Sequence, residues 1–182
     1  MNERKTVLVD MDGVLANFEK GLIDRFKAAY PQRPIIPYRE RTTFEVEEDY
    51  HGQDKERMKE LRKIPGFFLE LEPIEGGVGA LEEMAELADV RICTAPTTYY
   101  KNCVLEKYAW VERHLGSEWV RRIILTKDKT LVRGDYLIDD KPEITGSMEP
   151  LWEQVYYDQP YNRGYNGKKR LTWDNWREVL EL

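Results

Sequence analysis

Short apolar runs that end on an acidic or hydroxyl-bearing residue recur along this chain. Thr6–Val9 stops at Asp10-Met11-Asp12-Gly13, residues 90–93 at Thr94-Ala95-Pro96, Ile123–Leu125 at Thr126, residues 137–138 at Asp139-Asp140, and residues 155–157 at Asp158. Runs of this kind, without polar alternation, belong to strands buried on both faces. Between them apolar residues return at helical spacing: Val78, Leu81, Met84 and Leu87 after Gly76-Gly77, then Val104, Tyr108, Val111 and Leu115 before Gly116. Strands alternating with helices predict an α/β fold, a Rossmann-like parallel sheet with helices on both faces. A last helix carrying Val179 and Leu180 is predicted to start from Thr172 as its N-cap. Residues 161–167, rich in Tyr, Asn and Gly, read as a surface loop.

Residues 15–73 break this rhythm. They hold no strong strand signal and far exceed an ordinary connection. Leu15, Phe18, Leu22, Ile23 and Phe26 repeat at helical spacing, Pro31, Pro34 and Pro37 punctuate a loop, and residues 54–63 form a second, highly charged helical stretch. The interval predicts a small helical cap inserted after the first strand, so that residues 1–14 and 74–182 make the α/β core and 15–73 the cap.

Composition narrows the choice of partner. The 182 residues carry 28 Lys+Arg against 34 Asp+Glu, a formal charge of −6. That balance argues against a protein that grips a nucleic-acid polymer, which needs a basic surplus. It leaves room for one small phosphate held by a metal ion or a few focused basic groups. Cys93 and Cys103 form neither a disulfide framework nor a Cys-x-x-Cys pair, and no run approaches the ~20 apolar residues of a membrane span. With a charged start too short for a signal peptide, the expectation is a cytoplasmic protein that contacts no membrane.

Ligands of open parallel sheets sit at the carboxyl ends of the strands. Those ends carry Asp10, Asp12, Thr94, Asp139 and Asp140. Four carboxylates in one crevice repel one another unless a cation lies among them, and Mg²⁺ suits oxygen ligands together with substrate phosphate. Asp10 and Asp12 then divide two roles: one attacks phosphorus in line to form an aspartyl phosphate, and the other protonates the leaving oxygen and later deprotonates water. A hydroxyl such as Thr94, the backbone N–H of Ala95 and one lysine compensate the phosphoryl charge.

Asp10-Met11-Asp12-Gly13-Val14, Thr94, Lys107 and Leu137-Ile138-Asp139-Asp140-Lys141-Pro142 resemble, in order, the four motifs of the haloacid dehalogenase superfamily of phosphatases. Residues 10–18, 67–73, 106–112 and 125–130 are similar to the cytosolic and mitochondrial 5'(3')-deoxyribonucleotidases, a likeness that spans residues 6–145. It implies Asp10 as nucleophile and Asp12 as acid and base. Asp10, Asp140 and the Asp12 carbonyl would hold Mg²⁺, with Asp139 beside them directly or through water, and Thr94 and Lys107 would hold the phosphate. It further implies a nucleoside pocket lined by Phe18, Phe44 and Val46, closed by Ala95, the segment after Pro96 and Lys129. The expected substrate is a small nucleoside monophosphate, dUMP or dTMP, and homodimers are common in the subfamily. Glu45 stands where the animal enzymes carry an aromatic residue, and Ala95 where they carry Ser.

Taken singly, several of these residues have plainer readings. Lys127 and Lys129 are ordinary surface lysines, Lys107 a solvated helical lysine, and Phe18 and Phe44 core aromatics. The same chemistry on another small phosphorylated metabolite is the alternative activity. A signalling receiver domain is disfavoured because its acidic pair comes first and its phosphorylated Asp later, the reverse of the order here.

Overall fold

The structure, a computed structural model, describes residues 4–182; Met1 to Glu3, part of the charged start, lie outside the described residues. Six parallel strands form one sheet: β1 (Thr6–Val9), β2 (Asp89–Thr94), β3 (Ile123–Leu125), β4 (Tyr136–Asp139), β5 (Glu153–Tyr157) and β6 (Arg170–Leu171), in the order β3-β2-β1-β4-β5-β6. The central β1 pairs with β2 on one side and β4 on the other, so Asp10, Thr94 and Asp139 finish neighbouring strands. The backbone N–H of Asp10 donates to the Ile138 carbonyl at 2.9 Å, carrying the ladder one step past β1 and fixing where Asp10 stands.

The helices are α1 (Phe18–Ala29), α2 (Gly52–Leu61), α3 (Gly77–Leu87), α4 (Cys103–Leu115), α5 (Ser117–Val120) and α6 (Trp176–Leu180). Their buried apolar residues all join one cluster, with Val7, Val9, Ile92 and Ile138 of the sheet. Leu8, Cys93 and Leu137, pointing the other way as the pleat requires, pack instead on Trp152, with Ile124, Val132 and Ile144 around them. The sheet with its helices is the Rossmann-like arrangement expected, and on the Trp152 side it carries a 3-10 turn, Lys129–Leu131, and loop. The link from β3 to β4, residues 126–135, is shorter than the dozen or more residues a helical crossover needs, and residues 140–152 between β4 and β5 form no helix.

Two further elements differ from expectation. The final helix starts at Trp176 with Asn175 at its cap, and Thr172 serves instead in the turn before it, where its N–H donates to Asn175 Oδ1 at 2.8 Å. In the stretch read as a surface loop, Tyr161 and Asn162 are buried in a 3-10 turn while residues 163–167 are exposed. The chain enters and leaves residues 15–73 through two adjacent segments: Asn17 N–H donates to Glu72 O, Ile74 N–H to Leu15 O, and Ala16 bridges Pro73 antiparallel. Glu106 on α4 ties the end of this insert down. It accepts hydrogen bonds from the N–H groups of Gly66 (2.8 Å) and Phe68 (3.0 Å) and from the Tyr100 hydroxyl.

Candidate active site

The turn after β1 decides the geometry. The Met11 carbonyl accepts from the N–H groups of Leu15 and Ala16, both at 2.8 Å, which curls the chain so that Asp10 and Asp12 face one cavity of about 820 Å³. Gly13 turns the corner at φ +76°, where a Cβ would lie 2.2 Å from Asp140 Oδ2. Here glycine is required both by the left-handed backbone and by the close approach.

Lys129 lies between two acids of the site, its Nζ 2.7 Å from Asp10 Oδ1 and 2.6 Å from Asp139 Oδ2. Burial works against its charge, but these carboxylates hold its pKa above the usual lysine value. The surface reading of Lys129 therefore gives way to a buried lysine in the floor of the cavity, while Lys127 lines the cavity from an exposed position.

Lys107 sits behind the lining of the cavity, against two of its acid and hydroxyl groups. It is completely buried, lies outside the lining of the cavity, and donates to Asp12 Oδ2 at 2.6 Å and Thr94 Oγ1 at 3.1 Å, with the ring of Phe68 5.2 Å away. From there it can orient Asp12 and Thr94, whereas Lys129 is the lysine that stands beside Asp10 in the open part of the site. Burial raises the pKa of Asp12 against the pull of Lys107, and the nearby Asp10 raises it further.

Asp10, Asp139 and Asp140 each offer a carboxylate oxygen, all within 4.8 Å of one another. Asp139 spends its oxygens on Lys129 and on the Lys141 N–H, whereas Asp140 accepts from the Tyr161 hydroxyl with one oxygen and keeps the other, Oδ1, buried without a partner. Burial and then Asp139 and Asp10 push the Asp140 carboxyl well above the usual range. Four aspartates face two lysines here, and buried carboxyl groups in such excess are stabilised by taking up a proton or by gathering a cation among them. An all-oxygen donor set with this excess fits a hard divalent ion.

Phe18, Phe44, Val46 and Ala95 also line the cavity. Phe18 is at the same time part of the core, edge-on to Phe67 at 5.2 Å, and Phe44 meets Tyr161 edge-on at 6.0 Å. Sequence reasoning missed Tyr161, Gln159 and Arg62. Gln159 accepts from the Tyr38 hydroxyl and donates to the Gly13 carbonyl at 2.7 Å, linking the insert to the Asp10–Gly13 turn. No local pattern marks these residues, because each acquires its role from a partner distant in sequence.

An acid cluster at the strand ends of such a sheet, with a lysine beside Asp10, is the arrangement on which the resemblance to the haloacid dehalogenase-like hydrolases rests. Solved members share the fold: a haloacid dehalogenase-like hydrolase from Xanthomonas campestris aligns at TM-score 0.55 and 13% identity over 98% of this chain and 96% of its own, and the Bacillus subtilis protein YfnB, solved bound to magnesium, at TM-score 0.59 and 10% identity over the whole of both chains. The family model described as "5' nucleotidase, deoxy (Pyrimidine), cytosolic type C protein" matches residues 4–182. Of the Homo sapiens proteins, the cytosolic-type 5'(3')-deoxyribonucleotidase is 46% identical, covering 96% of this chain and 92% of its own, and the mitochondrial 5'(3')-deoxyribonucleotidase 43%, covering 96% and 82%. The chain belongs to the 5'(3')-deoxyribonucleotidase family and is a phosphoric monoester hydrolase. Among the described residues no helix is long and apolar enough to cross a membrane.

Proposed function

We propose that the protein hydrolyses deoxyribonucleoside monophosphates in the presence of Mg²⁺, through a phosphoryl group carried on Asp10. The observation that carries this reading is the contrast between the two carboxylates of one turn: Asp10 faces the cavity against Lys129, and Asp12, its pKa raised, is held from behind by Lys107. Environments that separate two such groups divide nucleophile from acid and base.

A carboxylate oxygen of Asp10 attacks phosphorus while the bond from phosphorus to the nucleoside oxygen breaks, and Asp12 gives that oxygen its proton. Water then attacks the aspartyl phosphate, Asp12 takes back a proton, and phosphate leaves with Asp10 restored. Lys129, the Thr94 hydroxyl and the Ala95 N–H hold the phosphoryl oxygens, and Lys107 acts on Asp12 rather than on the phosphate. Asp10, Asp140 and the Asp12 carbonyl would hold Mg²⁺, with Asp139 keeping Lys129 in place; when bound, the ion neutralises phosphoryl charge. Phe18, Phe44 and Val46 would receive the nucleoside. The size of the cavity falls within the ~300–1,000 Å³ usual for small-molecule sites.

Asp10→Asn is the test. The purified variant should release no phosphate from dCMP, dUMP or dTMP with Mg²⁺ present, and release at the parent rate would remove Asp10 from its role. Another small phosphate ester would use the same chemistry, and a panel of sugar phosphates beside nucleotides separates the two.

A further inference from the structure

The wall of the cavity contributed by the insert is not uniformly apolar. Glu45, directly after Phe44, lines it together with Arg62 and Tyr99. Arg62 Nη1 donates to Glu45 Oε2 at 3.1 Å, Arg62 Nη2 lies 2.7 Å from Glu47 Oε1, and the guanidinium stands 4.7 Å over the Tyr99 ring. Arg62 and Glu47 are buried, whereas the Glu45 side chain is 51% exposed. The second oxygen of Glu45, Oε1, accepts no hydrogen bond among the described residues.

One guanidinium thus serves two carboxylates. Its Nη1 and Nη2 groups are engaged by Glu45 and Glu47, so two carboxylates share one cation and the wall offers the cavity an acceptor with an excess of negative charge. Because Arg62 is clamped between Glu47 and Tyr99, Glu45 is also held in place, and a pre-positioned acceptor costs a ligand less ordering than a free one. Such a group attracts an N–H donor and disfavours a carbonyl oxygen at the same point. Phe44, one residue earlier, packs edge-on to Tyr161, whose hydroxyl donates to Asp140, and Asp10, Phe44 and Glu45 line the same cavity.

We propose that Glu45, tied back by Arg62, reads the exocyclic amino group of the base, so that cytosine is taken over uracil. The inference rests on the nucleotidase reading above and names the base preference of that same site. Cytosine and uracil differ at C4, amino against carbonyl, which makes dCMP and dUMP the matched pair for the test.

The ratio of kcat/KM for dCMP to that for dUMP is to be measured with Mg²⁺ for the parent, Glu45→Gln and Glu45→Leu, each checked for folding by its melting temperature. The parent ratio should exceed one. Glu45→Gln should shift it toward dUMP by about tenfold or more, since an amide can donate to the C4 carbonyl and a hydrogen bond to a charged group is lost. Glu45→Leu should remove the dCMP advantage by slowing dCMP. A parent ratio below one, or a ratio within twofold of the parent in both variants, overturns the proposal while leaving the nucleotidase reading intact. Release of phosphate from p-nitrophenyl phosphate but from neither nucleotide overturns that reading, and this inference with it.

Discussion

Lys107 and Asp12 are 95 positions apart in sequence, yet the lysine ammonium, shut off from solvent, sits 2.6 Å from the aspartate. Helix α4 carries the lysine inward beneath the turn that presents Asp12 to the cavity. Such a buried charge is tolerated only because its partners satisfy it. Removing the ammonium raises the Asp12 pKa further and frees its rotamer. Lys107→Met should therefore lower kcat by about 10²- to 10⁴-fold, the range ascribed to a positioned general acid and base, with a much smaller change in KM. Steady-state kinetics check this, and a kcat within threefold of the parent would remove Lys107 from the mechanism.

Tyr161 donates to Asp140, the carboxylate whose other oxygen lacks a partner. Tyr161→Phe keeps the ring against Phe44 and removes only the hydroxyl. Groups that orient a metal ligand are worth about 10- to 100-fold in metal affinity or activity. The magnesium concentration for half-maximal activity should rise by that factor, with little change in melting temperature.

Gly13→Ala places a methyl where Asp140 stands and demands a left-handed backbone from a residue with a Cβ. The backbone alone costs about 1–2 kcal/mol, and displacement of Asp140 adds loss of metal-dependent turnover. Calorimetry should show a lower melting temperature, and excess magnesium should not restore the rate.

Acid stability tests a site outside the cavity. Asp128 accepts hydrogen bonds from the Thr130 hydroxyl, from the Ser147 N–H and hydroxyl, and from the Thr130 N–H, which lower its pKa from 3.8 to about 2. A carboxylate depressed on folding binds fewer protons folded than unfolded, so its contribution is complete above about pH 4 and is lost as pH falls toward 2. The parent should exceed Asp128→Asn in urea midpoint at pH 6, and the difference should shrink by pH 3. A difference independent of pH over that range would refute the assignment.

Much of the fold was legible because burial on both faces writes itself as short apolar runs: five of the six strands are marked by such runs, and α3 and α4 by apolar residues at helical spacing. The two-residue β6 left no signal, since Arg170-Leu171 is too short for any period, and Thr172 looked like a cap because capping chemistry and turn chemistry use the same side chain. The acids of the site were legible too, because a strand end followed by Asp or Thr points at one crevice whatever the rest of the chain does.

The lysines were not. Nothing near Lys129 or Lys107 in sequence says which stands in the cavity and which beneath it. Nor does the sequence around Tyr161 tell that it is buried against Asp140. The sequence by itself determined the parallel sheet and the carboxylates at the strand ends, because these follow from local periodicity and strand polarity. The tertiary structure alone decided which cations answer those carboxylates and that a tethered glutamate lines the insert's wall, because charge pairing and burial are set by contacts between segments far apart along the chain.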